Sequence, residues 1–218
     1  MSDLTKYKIL YEGGSDEIVE KKSRFIANLK PVYTEEEAIS YIEQIKKEYW
    51  DARHSCYAYV LGERGQIQRF SDDGEPQGTA GKPILDVLLG SEVRDAVIVV
   101  TRYFGGTLLG TGGLVRAYSR TASLGLQASK VAWKTKGMKL EIETDYTGLG
   151  KIQYILGNEG IQTLDSSYTD KVVLNVLVPL DLLEGLKASL IEGTNGTAKL
   201  ADVEECWFAM VDKEVILL

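Results

Sequence analysis

The chain has 218 residues, of which 44% are hydrophobic, and this is enough to bury a core in one or two domains. Its formal net charge of −7 argues against a protein whose whole surface binds nucleic acid, because affinity for phosphate backbones comes mainly from clustered Lys and Arg. No apolar run is long enough to cross a bilayer, and the first residues lack the basic and apolar regions of a secretion signal. We therefore expect a cytoplasmic protein without a membrane anchor.

The first part of the chain shows alternating strand and helix patterns, in the order β-α-β-β-α-β-α. Thr34 is followed three residues later by Glu37, and this capping-box pattern predicts a helix from Thr34 to about Tyr49. A proline suits the first turn of a second helix, which we expect to begin near Lys82 and Pro83. The predicted strands span residues 17–29, 54–61, 65–70 and 96–104, and a third helix follows the glycine-rich run after the last of them.

A second pattern begins after a lysine-rich segment, residues 130–137, that has no clear period. We place a domain boundary there, which gives domains of residues 1–132 and 137–218. The second domain has strand patterns at 138–144, 161–168, 171–178 and 198–211, and helical patterns at 148–158 and 181–191. The order β-α-β-β-α-β is the ferredoxin-like arrangement. The sequence therefore predicts an α+β fold of two domains.

One stretch of the chain is unusual in its charge. Residues 96–140 contain no Asp or Glu and seven Lys or Arg, whereas from Gly137 onward six Lys stand against fourteen acidic residues. Such a stretch is typical either of a solvated surface or of a local anion-binding face. If either half of the chain binds phosphate, the charge favours the first.

A glycine-rich loop joins the predicted strand 96–104 to the third helix. Glycines let an anion approach the free amides at the N-terminus of a helix, where the helix dipole is positive. Arg102, Arg116 and Arg120 flank the loop, and we expect them to converge beside it. The alternative is that the glycines serve tight turns and close packing. The loop residues concerned are Gly105, Gly106, Gly110, Thr111, Gly112 and Gly113.

An acidic loop precedes the second predicted helix. Asp72, Asp73 and Glu75 offer oxygen ligands at the short spacing that hard cations prefer, but they do not form an EF-hand pattern. The alternative, which we favour, is that these carboxylates solvate the loop or pair with Arg69 and Lys82. We therefore expect no bound metal, and the acidic loop is the candidate site if there is one.

His54, the single histidine of the chain, could act as a general base. Cys56 lies two residues further along the same predicted strand face, but neighbours on one strand face seldom reach a substrate held between them. Cys206 is far away in sequence, and the two thiols lack the spacing of a zinc or redox motif. We lean towards a protein that is not an enzyme, and we expect no cofactor.

The run GKPILDVLLGSEVRDAVIVVTRYFGGTLLG resembles the signature of the YigZ/IMPACT family, including Arg102, the aromatic pair Tyr103 and Phe104, and the two glycines that follow. Upstream, DARHSCYAY and FSDDGEPQGTAGKPIL resemble a strand and a loop of that family. The acidic second half resembles the ferredoxin-like C-terminal domain of the family's bacterial branch. The resemblance covers nearly the entire chain.

This resemblance implies a first domain similar in fold to the second domain of ribosomal protein S-five, with a ferredoxin-like domain after it. The same order occurs in the last two domains of elongation factor G. Eukaryotic members are associated with control of translation initiation, through competition for a partner protein. The functional surface that the resemblance implies consists of His54, Arg69, the loop of residues 72–81, Arg102, Gly105, Gly106, Gly112, Gly113 and Arg116.

Three functions remain open on these patterns. The first is a translation-associated binding protein that engages RNA, the ribosome or a translation-regulatory protein through the basic, glycine-rich face. The second is an enzyme or sensor that binds a phosphate or carboxylate at the same loop, and the third binds proteins through exposed aromatic rings such as Tyr103 and Phe104. The oligomeric state is left open. The candidate binding residues are His54, Arg69, Asp72, Asp73, Glu75, Lys82, Arg102, Gly105, Gly106, Thr111, Gly112, Gly113, Arg116 and Arg120.

Overall fold

The computed structural model of the chain describes residues 4–211 and 214–218. Residues 1–3 and 212–213, which the predicted domains include, lie outside the described residues. The fold is α+β with two compact units, one of residues 7–133 and one of the described residues from 134 onward together with residues 4–6. The α+β class with two domains is therefore confirmed. Within the described ranges, no helix is long and apolar enough to span a membrane.

The first unit is built around an antiparallel sheet of five strands. The sheet order is β2-β3-β7-β4-β5, and β1 pairs separately, in parallel, with the short β6. The elements in chain order are β1 (Lys6–Glu12), β2 (Ser15–Glu20), β3 (Ser23–Pro31), α1 (Glu35–Glu48), β4 (His54–Leu61), β5 (Ile67–Ser71), α2 (Gly81–Gly90), β6 (Val93–Arg94), β7 (Ala96–Tyr103) and α3 (Thr111–Gln127).

Helices cover both faces of this sheet, and β7 is its central strand. Side chains alternate along a strand, so Ile98 and Val100 pack in a core with α2 and α3 while Val97 and Val99 pack in a second core with α1. A strand buried on both faces explains the continuous run of β-branched residues that predicted it. Arg102 continues the first series and therefore lies on the α2 and α3 face. This alternation decides where its charge is buried.

The second unit has the predicted ferredoxin-like order. Its four main strands form an antiparallel sheet in the order β11-β8-β10-β9, and β12 is added beside β11. Leu140 and Ile142 of β8 pack with Ile152 of α4 and Leu190 of α5 in the core. The elements are β8 (Lys130–Thr144), α4 (Tyr146–Asn158), β9 (Gln162–Tyr168), β10 (Val172–Pro179), α5 (Leu183–Gly193), β11 (Lys199–Val211) and β12 (Glu214–Leu217).

The single strand predicted over residues 17–29 was wrong. The segment forms most of the hairpin β2–β3, whose turn holds Lys21 at φ 46° and Lys22 at φ 68°. Hairpin turns that need two positive φ angles usually contain Asn or Gly, so two lysines give no turn pattern in the sequence. The hairpin places two exposed cations at its tip.

The segment of residues 130–137, where the lack of a period predicts a domain boundary, is the first half of β8. It pairs with β11 from Lys134 to Gly137 and onwards, with Lys136 opposite Trp207. Lys130, Lys134 and Lys136 share one face of the strand with Ala132, and the other face carries Val131, Trp133, Thr135 and Gly137, so neither face is uniformly apolar. The strands β1, β6 and β12 were not predicted.

The helix start predicted at Thr34 is confirmed, with Thr34 as the N-cap of α1. The Thr34 hydroxyl accepts a hydrogen bond from the Glu37 amide at 3.2 Å, and the Glu37 carboxylate accepts one from the Tyr33 amide at 2.7 Å. The first bond satisfies an amide that the helix start would otherwise leave free, and the second binds the residue before the N-cap, where a full capping box would bind the Thr34 amide. The helix begins where the sequence predicts it.

Candidate functional site

A buried ion pair joins the acidic loop to β7. Arg102 is only 5% exposed, and its Nη1 donates to Oε1 of Glu75 at 2.6 Å. The Tyr118 hydroxyl of α3 donates to the same oxygen at 2.8 Å. Removing two charges from water is costly, and such a pair is stable only if hydrogen bonds compensate for the lost solvation. Glu75 therefore fixes the acidic loop against β7 and α3.

The Arg102 guanidinium also contacts a serine hydroxyl and two aromatic rings. Its Nη2 donates to Ser23 Oγ at 3.4 Å, and the group lies 5.3 Å from the Phe25 ring centroid and 5.5 Å from that of Phe104. The Gly105 amide donates to the same Ser23 oxygen at 3.1 Å. Its Nε is buried and has no hydrogen-bond partner among the described residues.

The Asp72 carboxylate organises the acidic loop from within. It accepts hydrogen bonds from the amides of Gly78, Ala80 and Gly81 at 2.8, 3.0 and 2.8 Å. Ala80 precedes α2 and offers no side-chain cap of its own, so Asp72 caps this helix from eight residues upstream. The Asp72 carboxylate therefore has a structural role in the loop.

Asp73 fastens the same loop to α1 and β4. Its carboxylate accepts from the Lys46 ammonium at 2.6 Å and from the Ser55 amide at 2.7 Å. Its carbonyl oxygen lies 2.9 Å from Nδ1 of His54. Since a carbonyl can only accept, Nδ1 carries the proton, and in the neutral ring Nε2 is the acceptor.

The partners predicted for these carboxylates were wrong. Arg69 pairs with Glu35 at 3.5 Å, and Lys82 pairs with Asp86 one turn along α2. The carboxylates of Asp73 and Glu75 instead meet cations that are distant in sequence. Among the described residues, no group of three or more His, Cys, Asp or Glu side chains is arranged to hold a metal ion.

Cys56 lies beside this network but is not an activated thiol. Its Sγ–H donates to the Asp72 carbonyl at 3.0 Å, and the residue is fully buried. Burial raises the pKa of the Cys56 thiol far above its usual value. A thiol that stays protonated is a poor nucleophile.

The glycines of the loop between β7 and α3 have different roles. A Cβ on Gly105 would lie 2.0 Å from the Lys22 carbonyl carbon, so this glycine allows the β2–β3 turn to pack on the loop. Gly106 and Gly110 have φ angles of 81° and 74°, which L side chains rarely adopt. Gly112 has no such requirement, because a Cβ there would meet only the Arg116 guanidinium at 3.8 Å.

The start of α3 has free amides. The first helical hydrogen bond runs from the Leu114 amide to the Gly110 carbonyl, so the amides of residues 111–113 precede it. Gly110 provides no side-chain cap, and the first turn contains no acidic residue. The helix dipole is therefore unopposed at this end, and an anion is stabilised there.

A cleft of about 450 Å³ opens beside this helix start, and we call it the Phe104 cleft. Phe104 is 45% exposed and Leu108 is 82% exposed, so both present apolar surface to it. Of the predicted site residues, His54, Glu75, Arg102 and Thr111 line the cleft. Arg53, which is exposed and was not predicted, also lines it.

A second depression of about 230 Å³ lies on the other side of the helix start. Lys21, Arg116 and Arg120 line it with Glu20 and Gly113, and we call it the basic groove. Arg116 and Arg120 are exposed, and neither forms an ion pair with a residue in the described ranges. The three arginines therefore do not converge on one site as predicted, because Arg102 is buried at the cleft. Leu109 lines both depressions.

Most of the other cations in the acid-free stretch are neutralised by carboxylates from elsewhere in the chain. In the part of the chain that the structure describes, four of its seven Lys and Arg form ion pairs. These are Arg102 with Glu75 at 2.6 Å, Lys130 with Glu12 at 3.2 Å, Lys136 with Glu205 at 2.7 Å and Lys139 with Glu204 at 2.9 Å. A charge bias along the sequence is thus not a charge bias on the surface.

Sequence reasoning missed Lys21, Arg53 and Leu108. No local pattern places Lys21 near α3, since the hairpin brings it there. Arg53 directly precedes His54, and this position beside a predicted site residue was the signal by which the sequence could have identified it.

Comparison with known proteins matches both units. The Impact N-terminal domain family matches residues 21–126, and a domain family of unknown function, DUF1949, matches residues 142–197. A solved structure titled "Crystal structure of an hypothetical protein" is 36% identical with a TM-score of 0.59, covering 92% of this chain and 98% of that one.

Curated relatives carry the same family name. The IMPACT family member YvyE of Bacillus subtilis is 41% identical over 97% of this chain and 96% of its own length. The IMPACT family member YigZ of Escherichia coli is 40% identical over 85% of this chain and 92% of its own length. The Protein IMPACT homolog of Dictyostelium discoideum is 36% identical over 53% of this chain and 33% of its own length. The chain belongs to the IMPACT family.

Proposed function

We propose that the chain is a translation-associated binding protein whose first unit engages RNA, free or within the ribosome, through the basic groove. The observation that carries the proposal is the pair of exposed arginines, Arg116 and Arg120, beside the free amides of α3. The translation-control role that the family resemblance implies makes RNA the expected polyanion.

The geometry of the groove suits a phosphate backbone. Arg116 and Arg120 are four residues apart, so they share one face of α3 one helical turn apart. Lys21 adds a third cation from the hairpin turn, and Glu20 is the acidic residue of the same groove. Phosphate contacts by Lys and Arg release counterions, which makes such binding steeply dependent on salt.

An enzyme acting at the glycine loop has less support. The Cys56 thiol is protonated in the core, and the carboxylates of Asp72, Asp73 and Glu75 all accept hydrogen bonds within the fold. Groups that are already satisfied in this way are poor candidates for proton transfer to a substrate. The exposed cations and amides favour binding.

The test compares binding of a single-stranded RNA at several salt concentrations. Arg116→Glu/Arg120→Glu should weaken binding at least about tenfold at low salt and lower the salt slope by about two. The matched control is Lys30→Glu/Lys47→Glu, which makes the same charge change at two exposed lysines, of which Lys30 lies against Tyr41 of α1 and Lys47 is in α1 itself. Equal losses in the two variants, or no RNA binding by wild type at low salt, would refute the proposal.

A further inference from the structure

We propose that the Phe104 cleft binds one nucleotide unit, with its base against the Phe104 ring and its phosphate on the amides at the start of α3. The inference rests on the proposed function, because the cleft and the basic groove flank the same helix start. The shared chemistry is a nucleoside phosphate, either free or as an unpaired residue of an RNA strand.

The apolar part of the cleft suits a base. The Phe104 ring is 45% exposed although its position is supported by the Arg102 guanidinium, 5.5 Å from the ring centroid. A half-exposed ring that is held in place is a platform on which a base can stack, and stacking tolerates any base because all have a π-face. Leu108 and the exposed Arg53 extend this surface.

The polar part of the cleft suits a phosphate. Thr111 lines the cleft at the positive end of α3, where the amides of residues 111–113 precede the first helical hydrogen bond and the first turn has no acidic residue. Independently, Arg102 lines the same cleft, is 5% exposed, and has an Nε without a hydrogen-bond partner among the described residues. A buried donor without a partner is costly, so the wall of the cleft at Arg102 contains an unused hydrogen-bond donor.

The remaining charge of the cleft does not oppose an anion. Glu75 lines it, but its carboxylate is neutralised by Arg102 and accepts a further hydrogen bond from Tyr118. His54 presents a ring whose Nδ1 proton is already used by the Asp73 carbonyl. The volume, about 450 Å³, is within the range of small-ligand pockets, about 300 to 1,000 Å³.

The experiment titrates the full chain with AMP, adenosine, inorganic phosphate and a six-residue oligoadenylate by calorimetry. Gly112→Asp places a carboxylate among the free amides, where the Arg116 guanidinium, 3.8 Å from a Cβ, is the nearest group and a helix N-terminus favours an acid, so the melting temperature should not fall. The matched control is Gly185→Asp, the same change at an open, exposed position in the first turn of α5. Phe104→Leu removes the ring while keeping an apolar side chain, and it serves as the second variant.

We expect wild type to bind AMP more tightly than adenosine or phosphate, and Gly112→Asp and Phe104→Leu each to weaken it at least about tenfold, with Gly185→Asp unchanged. If AMP does not bind but both variants weaken the oligoadenylate to the same extent, the nucleotide belongs to an RNA strand. The proposal is overturned if both variants bind both ligands as wild type does, or if Gly185→Asp loses as much as Gly112→Asp. RNA binding that depends on Arg116 and Arg120 but not on Phe104 would support the basic groove as the RNA site and would refute the nucleotide site in the Phe104 cleft.

Discussion

Glu75 and Arg102 are 27 residues apart in sequence, and their side chains meet at 2.6 Å in the interior of the first unit. Both side chains are less than 10% exposed, at 4% and 6%. The pair links the acidic loop to the end of β7, just before the glycine loop. Arg102 is therefore a structural residue as well as a wall of the Phe104 cleft.

Removing one member of this pair should destabilise the first unit strongly. Glu75→Leu leaves the Arg102 charge buried without a counterion, and the expected loss is about 3 to 5 kcal/mol in the free energy of unfolding. Arg102→Met should cost a similar amount. The double variant Glu75→Leu/Arg102→Met should recover most of the loss, because an apolar pair needs no solvation. Urea denaturation of the four proteins measures the coupling, and strictly additive losses would contradict a direct pair.

Asp72 should stabilise the acidic loop, and it should not be needed to bind a metal ion. Asp72→Ala leaves three amides near the start of α2 without their acceptor, and we expect a loss of about 1 to 3 kcal/mol. The control is Asp86→Ala, an exposed residue of the same helix whose loss should be within about 0.5 kcal/mol of zero. Thermal denaturation with and without Mg²⁺ measures both effects. Equal stability of the two variants, or a strong shift with Mg²⁺ that only wild type shows, would contradict the role assigned to Asp72.

Gly105 should not tolerate a side chain. In Gly105→Ala the new Cβ would clash with the Lys22 backbone at 2.0 Å, so the hairpin turn or the glycine loop must move. Overpacking of this kind costs about 1 to 3 kcal/mol. Gly90→Ala is the control, since nothing lies within 4 Å of its Cβ and its φ is not left-handed. Chemical denaturation should show a lower free energy of unfolding for Gly105→Ala than for Gly90→Ala. An unchanged stability of Gly105→Ala would show that the β2–β3 turn can move without cost.

Buried tyrosines should make the first unit sensitive to alkali. Burial, together with the hydrogen bond that its hydroxyl donates to Glu35, raises the pKa of Tyr59 from 10.0 to about 12. Burial also raises the pKa of Tyr41 to about 12. The unfolded chain therefore releases these protons first, and stability is complete below pH 10 and is lost as the pH rises from 10 towards 12.

Tyr59→Phe tests this pH dependence. At neutral pH the variant should lose about 0.5 to 1.5 kcal/mol with the hydrogen bond to Glu35. Between pH 10 and 12 its stability should fall less steeply than that of wild type. Urea midpoints measured from pH 8 to 12 provide the comparison, and parallel curves would show that Tyr59 does not contribute.

Elements with a local cause were predictable. The N-cap at Thr34, the β-branched run of β7 and the strand-helix order of the second unit all follow from interactions within a few residues or from burial on a known face. The β2–β3 turn was missed because its two left-handed residues are lysines, and the first half of β8 was missed because its charges are balanced only across the sheet. Neither cause can be read from the residues near each segment in the sequence.

The candidate site, too, has a part that the sequence predicts and a part that depends on the tertiary structure. The sequence by itself determined which segments are candidates, the acidic loop and the glycine loop, because their residue types and the family motif are local properties. Only the tertiary structure decided how the charges are used. Ion pairs depend on distances between side chains that are far apart along the chain, and folding brought carboxylates to Arg102, Lys130, Lys136 and Lys139 while leaving Arg116 and Arg120 exposed. Charge counted along the chain is a sum over residues, whereas a binding surface depends on which of those charges are already compensated.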